Sequence, residues 1–313
     1  MPLLFGPVQS RRLGRSLGLE LVPKKICSMD CLYCEVGKTT ILTFERKAYI
    51  SWESIENALR EATIKEKTFD VLTITGSGEP TLCLYFEKTV ELAKKMISKP
   101  ICVLTNSTTV MLPSVQEALA KVDFVLASLD SARKESFKLL NRPAQDVSLD
   151  EIIQGLKELK GIMVGELWLE ILLVKGFNDK PEDLEALRRA INYISPHKVQ
   201  LNTVVRPPAY PIAQPLSYEE LLKIKEFLGE KAEIISSNLP KSDLILPQYP
   251  GGISEEEKEQ LLIEYLKRRP APLSELRSIF FFEKELQVLL EKMVESGKIR
   301  KVHHQGNIFY TAE

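Results

Sequence analysis

Three of the five cysteines fall within eight residues, in Cys27-Ser-Met-Asp-Cys31-Leu-Tyr-Cys34, while Cys83 and Cys102 stand alone in apolar surroundings. An odd number of thiols with one tight cluster argues for metal or redox chemistry rather than a disulfide framework. Structural zinc takes four protein ligands, and the three histidines, His197, His303 and His304, are all remote from the cluster in sequence. A zinc knuckle would need a distant cysteine as its fourth ligand; three buried thiols without metal are the plainest alternative. A cubane iron–sulfur cluster takes one thiolate per iron. Three thiolates leave one iron open to a small molecule, and an open iron makes the site a reaction centre.

The C-x3-C-x2-C spacing, with the aromatic Tyr33 just before the last cysteine, strongly resembles the radical SAM superfamily signature. That resemblance implies a [4Fe–4S] cluster on Cys27, Cys31 and Cys34, with the amino and carboxylate groups of S-adenosylmethionine (SAM) chelating the open iron. Reduction of such a cluster cleaves SAM to methionine and a 5′-deoxyadenosyl radical, which abstracts hydrogen from a substrate. The cofactors carry the radical chemistry, and the protein supplies orientation and exclusion of water. A reductant protein of flavodoxin or ferredoxin type is the implied partner.

A scaffold must hold those thiols, and the sequence downstream alternates short β-rich runs with longer amphipathic stretches, as βα repetition and a parallel sheet require. Predicted strands are Ser16–Val22, Phe69–Thr75, Ile101–Thr105, Phe124–Leu129, Leu167–Val174 and Val199–Val204. Predicted helices are Trp52–Ile64, Leu84–Ile97, Leu112–Lys121, Leu149–Leu159 and Pro181–Tyr193. Ser148 and Glu151 suit a capping box, and Pro181 followed by two acids suits a first turn. The fold class is α/β, a partial (β/α)6 TIM-like barrel, the usual core of the superfamily this chain resembles. An open doubly wound sheet is the alternative that periodicity leaves standing. In both, ligands gather at the carboxyl ends of the strands.

Those strand ends carry the remaining candidates. Thr75-Gly-Ser-Gly-Glu-Pro80 follows the second strand; its glycines permit close approach to a ligand or simply a tight turn. It resembles the glycine-rich segment of the superfamily that binds the SAM amino group, with Ser77 in place of a glycine. The resemblance assigns that role to Gly76, Ser77, Gly78 and Glu79. Asn106, Ser128 and Asp130 close the third and fourth strands, where they could hold SAM or cap the next helix. Glu170 interrupts the apolar run 167–174 and Asn202 the run 199–205, so each is expected to point into a polar cavity. Arg142 and Arg206 each precede a proline, and Arg12 lies in Ser10-Arg-Arg-Leu-Gly14. Their guanidinium forks suit an anionic substrate or SAM carboxylate, or a structural ion pair.

Phe5-Gly-Pro-Val-Gln-Ser-Arg-Arg-Leu-Gly14, Thr75–Thr81, Asn141-Arg-Pro143 and Asn202-Thr-Val-Val-Arg-Pro-Pro208 together resemble one branch of the superfamily. That branch comprises Fe–S oxidoreductases similar to the radical SAM synthase of the tRNA wyosine pathway, and it implies a tRNA base as first-guess substrate. The wyosine synthases carry a second cubane on three further N-terminal cysteines; no cysteine precedes Cys27 here.

Proline and glycine in Leu246–Gly252 mark a boundary between a barrel domain (1–250) and a C-terminal domain (254–313). Helices over Ser254–Lys267, Pro272–Ile279 and Glu283–Ser296, then a hairpin turning near Gly306, resemble a winged helix-turn-helix. Such a unit could contact tRNA, DNA or a protein. From residue 254 onward it holds 10 Lys/Arg against 11 Asp/Glu, a poor electrostatic footprint for nucleic acid. A metal-dependent transcriptional regulator is the competing reading from another functional class. Composition sets the frame: 44% apolar and 27% charged residues over 313 predict a sizeable core, and a net charge of −1 argues against a nucleic-acid-coating protein. No apolar run approaches a membrane span and no secretory leader is recognisable, so the expected location is the cytoplasm.

Overall fold

The computed structural model describes residues 2–10, 12–235, 254–280 and 282–312; the predicted boundary at 246–252 lies outside them. The main sheet has eight strands. They are β1 (Leu4–Ser10), β2 (Gly14–Glu20), β5 (Val71–Thr75), β6 (Ile101–Thr105), β7 (Phe124–Ser128), β8 (Glu166–Leu173), β9 (Lys198–Thr203) and β10 (Ala232–Ile234). A two-stranded ladder of β3 (Ile26–Cys27) and β4 (Ile41–Leu42) sits beside it. The sheet order is β1-β2-β5-β6-β7-β8-β9-β10, every pair parallel except β1 with β2. A doubly wound sheet reverses its strand order at a switch point; this one never does, which is the winding of a barrel. Strands β1 and β10 are the sheet's two ends and do not pair, so the barrel stays open.

Helices α1 (Trp52–Ile64), α2 (Phe86–Met96), α3 (Pro113–Ala120), α4 (Lys134–Leu140), α5 (Leu149–Ile162), α6 (Pro181–Ile194) and α7 (Tyr218–Leu228) accompany the strands. In α1, Ser51 caps the first turn and Ile55, Ala58, Leu59 and Ala62 form the buried stripe, at the spacing an amphipathic helix demands. The core lies between helices and sheet, with Leu17, Leu19, Phe69, Phe86 and Ile101 wholly buried. A smaller cluster of Val71, Cys102, Leu126 and Trp168 packs apart from it. The six predicted strands all form, with shifts of one or two residues at their ends. Strand β1 was hidden by Gly6-Pro7 and a bulge between Phe5 and Val8, and β10 by being only three residues long.

Residues 255–312 build a separate hydrophobic cluster around Leu262, Leu266, Leu276, Leu286, Leu290 and Met293. Three helices, α8 (Glu255–Arg268), α9 (Leu273–Ile279) and α10 (Glu283–Glu295), pack with a three-stranded antiparallel sheet. Its strands are β11 (Ala271–Pro272), β12 (Arg300–His304) and β13 (Asn307–Thr311), in the order β11-β13-β12. The β12–β13 turn uses left-handed backbone at Gln305 and Gly306. Gln305 Nε2 donates to the Val204 carbonyl at 2.7 Å, so the hairpin tip rests on the carboxyl end of β9. Among the described residues, no helix is long and apolar enough to cross a membrane.

Candidate cluster and cofactor site

The cysteine loop is held by backbone bonds from three directions. Leu32 N–H donates to the Leu140 carbonyl at 2.9 Å, Tyr210 N–H to the Leu32 carbonyl at 3.0 Å and Ala144 N–H to the Ser28 carbonyl at 2.9 Å. Asp30 clamps the loop from within, accepting from Thr39 N–H at 2.8 Å and the Tyr210 hydroxyl at 2.7 Å. The glycine segment closes on it from the sheet side. A Cβ on Gly78 would lie 1.7 Å from the Ile26 carbonyl oxygen, so only glycine allows this approach. Gly78→Ala is expected to push Ile26 and Cys27 aside. The expected cost is about 1–3 kcal/mol, read as a lower urea midpoint together with less iron per chain after reconstitution.

Each of the three sulfurs accepts a hydrogen bond from a different side chain. Asn106 Nδ2 donates to Cys27 Sγ at 3.5 Å, Asn141 Nδ2 to Cys31 Sγ at 3.5 Å and Lys25 Nζ to Cys34 Sγ at 3.0 Å. Burial pushes Cys27 up to about 11, partly offset by the Lys25 charge, and burial with the nearby Asp130 charge drives Cys31 higher still. Both therefore keep their protons at neutral pH until a metal displaces them. Among the described residues, no three His, Cys, Asp or Glu side chains converge as a single ion would require. A cubane makes no such demand, because each thiolate binds a separate iron. Three thiols, each with an N–H donor, are a donor set that fits such a cluster.

A cavity of about 380 Å³ opens beside Cys34, within the range of about 300–1,000 Å³ usual for small-molecule sites. Ser128, Glu170 and Asn202 reach it from the sheet, Gly76 and Ser77 from the glycine segment, and Tyr33 and Glu35 from the cysteine loop. Along β8, Glu170 and Leu172 face the cavity while Ile171 and Leu173 join the helix-side core, the alternation a strand imposes. Arg12 pairs with Glu170, which also accepts from Asn202 Nδ2 at 3.3 Å. Among the described residues, the buried Arg12 Nε has no hydrogen-bond partner and so offers a donor to a bound molecule. Asp130 is wholly enclosed: burial raises its carboxyl to about 6, against bonds from the Tyr33 hydroxyl, Leu172 N–H and Asn141 Nδ2.

The opposite wall comes from α8. Tyr265, Arg268 and Arg269 line the same cavity. Arg268 pairs with Glu20 at 3.0 Å, and Glu20 in turn accepts from Ser77 Oγ at 2.6 Å. Arg206 bridges the units, pairing with Glu35 at 3.0 Å and with Glu275 at 2.7 Å.

Of the residues singled out from sequence, Arg12, Tyr33, Cys34, Gly76, Ser77, Ser128, Asp130, Glu170, Asn202 and Arg206 meet at this cavity. Cys27, Cys31, Gly78, Glu79, Asn106 and Arg142 do not line it. Glu79 is buried behind the glycine segment, accepting from Thr81 and Thr105 and from Asn106 N–H at 2.7 Å. Asn106 instead reaches Cys27 and Ser28. Arg142 lies outside the loop, paired with Asp30 at 3.2 Å and stacked on the Tyr210 ring. Sequence reasoning missed Lys25, Asn141, Glu20 and the α8 wall. The charged pair Lys24-Lys25 beside an apolar run was a usable signal; the α8 contacts, more than 200 residues from Glu20, left none.

The family model described as the radical SAM superfamily matches residues 21–191, which span the cysteine loop and the sheet through α6. By that match the chain belongs to the radical SAM superfamily, whose members are enzymes that use a [4Fe–4S] cluster and SAM. It is 31% identical over 314 residues to a UPF0026 protein of Methanocaldococcus jannaschii, covering 99% of this chain and 96% of the relative. It is also 34% identical to a Brachyspira hyodysenteriae protein named GTPase Obg, over 98% of this chain but only 45% of that longer relative. Among solved structures, a radical SAM methyltransferase from Sphaerobacter thermophilus aligns over 70% of this chain and 66% of its own, with TM-score 0.50 and 20% identity. Streptococcus suis SuiB bound to S-adenosylmethionine aligns over 76% and 55%, with TM-score 0.51 and 15% identity. Those two likenesses are of fold.

Proposed function

We propose that Cys27, Cys31 and Cys34 hold the [4Fe–4S] cluster and that SAM occupies the cavity beside Cys34, making the chain a SAM-cleaving enzyme that takes hydrogen from a substrate. One observation carries the reading: three thiols on one loop, each accepting from its own N–H donor, with Cys34 lining a cavity large enough for a small molecule. When bound, the reduced cluster supplies the electron that cleaves SAM. The chain's residues bind and orient. Gly76, Ser77, Ser128, Asp130, Glu170 and Asn202 face the space for SAM, and Arg12 Nε offers a donor to SAM or substrate. Arg206 lines the cavity while its guanidinium is held by Glu35 and Glu275, and Tyr33 covers Asp130. Gly78, Glu79 and Asn106 act from behind, bracing the glycine segment against the cysteine loop. Tyr265, Arg268 and Arg269 screen the cavity from water.

Two finer parts of the reading rest on sequence resemblance: a base within tRNA as substrate, and a flavodoxin or ferredoxin type protein as electron donor. The test is anaerobic reconstitution with iron and sulfide, followed by dithionite and SAM. A brown protein that releases 5′-deoxyadenosine is expected. A colourless zinc protein that binds DNA would favour the regulator instead. Comparison of tRNA nucleosides from cells with and without the protein checks the substrate.

A further inference from the structure

Lys25 carries a buried ammonium that, among the described residues, makes no salt bridge to a carboxylate. It stands two residues before Cys27, is 4% exposed, and its Nζ donates to Cys34 Sγ at 3.0 Å. The other groups acting most on its charge are the thiols of Cys27 and Cys31. Asp30, an acid on the same loop, feels the Lys25 charge, but its direct partners are Thr39, Tyr210 and Arg142. A buried charge without a counter-charge is strongly disfavoured. The arrangement is therefore satisfied when the sulfurs it faces are thiolates rather than thiols. A cubane core held by three thiolates carries net negative charge, and one added electron makes it more negative.

We propose that Lys25 is a positioning residue that sets the reduction potential of the cluster, by holding an ammonium N–H against the Cys34 sulfur. The inference rests on the cluster assignment above. The electron comes from the external reductant and ends on the cluster; Lys25 neither gains nor loses a proton. Because its attraction grows as the cluster becomes more negative, it stabilises the reduced state more than the oxidised one and raises the potential. The same ammonium could instead answer the SAM carboxylate. That alternative predicts weaker SAM binding with no change in the potential of the SAM-free protein.

The experiment uses the full chain, reconstituted with iron and sulfide, as wild type, Lys25→Met, Lys25→Gln and Lys25→Arg. Iron and sulfide per chain are counted first, and the cluster is then titrated against potential by electron paramagnetic resonance, without SAM. At the wild-type midpoint, the neutral variants are expected to show a reduced-to-oxidised ratio about tenfold lower, about 59 mV for one electron; Lys25→Arg stays close to wild type. Failure of both neutral variants to load, restored by Lys25→Arg, would show that the charge acts on cluster assembly and overturns the tuning role. Neutral variants that load and titrate at the wild-type potential overturn it, whether or not SAM binding weakens. Failure of all three variants to load marks a packing role and overturns it as well. A wild-type chain that takes up no cubane sinks the cluster assignment itself, and this inference with it.

Discussion

Cys31→Ala is expected to abolish the brown chromophore and the release of 5′-deoxyadenosine while leaving the fold intact. Cys31 supplies one of three thiolates, and no other sulfur can replace it. Cys102 is buried with Val71, Leu126 and Trp168, and Cys83 is packed in the helix-side core. Loss of an outer hydrogen-bonding partner typically costs about 10–100-fold in metal affinity, and loss of the ligand itself costs at least that. Asn141→Ala, which removes the donor to Cys31 Sγ and its bond to Asp130 but leaves all three thiols, is accordingly expected to weaken loading without eliminating it. Cys83→Ala is the control and should load as wild type. Iron and sulfide analysis with electron paramagnetic resonance reads all three, and a full cubane in Cys31→Ala would refute the assignment.

The second large effect is expected at Glu275. This carboxylate lies in α9, yet it joins both units: it accepts from Arg206 at 2.7 Å, Arg269 at 2.9 Å and the Tyr265 hydroxyl. Glu275→Ala takes a mostly buried counter-charge from Arg269 and leaves Arg206 with Glu35 alone, at an expected cost of up to about 3–5 kcal/mol. The measurement is the urea midpoint, with Arg206→Ala and the double variant completing a cycle. Because the two residues share one network, the double variant is expected to lose less than the sum of the singles, by about 0.5–3 kcal/mol. Strict additivity would show that the bridge does not couple the units.

The same group gives a pH dependence. Burial alone would raise the Glu275 carboxyl, but the guanidiniums of Arg269 and Arg206 more than reverse this and hold it below its ordinary value. A carboxyl depressed on folding contributes its full stability above the unfolded value, near 4.3, and loses it as pH falls through the lower folded value. The difference between wild type and Glu275→Ala should therefore be constant at neutral pH and shrink only below the ordinary carboxylate range.

Much of this was legible in the chain. Apolar runs such as Val71-Leu-Thr-Ile-Thr75 and Phe124-Val-Leu-Ala127 announced parallel strands, because a strand covered by helices has no reason to alternate. Helix α1 was readable to the residue from its cap and its apolar stripe. Strand β1 was not, since Gly6-Pro7 and a bulge erase its pattern, and its place in the sheet depends on pairing with β2. At the site, Glu170 and Asn202 stood out as polar breaks in apolar strands, and both face the cavity. Glu79 stood out just as clearly but is turned inward, because Thr81, Thr105 and Asn106 satisfy it there.

The sequence alone determined the chemistry's ingredients: three thiols at C-x3-C-x2-C spacing, a glycine segment after a strand, and a repeating βα scaffold. Local spacing suffices for these, because ligand sets, turns and helix stripes are properties of neighbouring residues. The tertiary structure decided which polar side chains meet in one cavity, that α8 walls it, and that a buried lysine lies against the Cys34 sulfur. Such contacts join residues far apart in the chain. They are selected by the free energy of burying whole surfaces and matching charges across them, which no stretch of sequence records by itself.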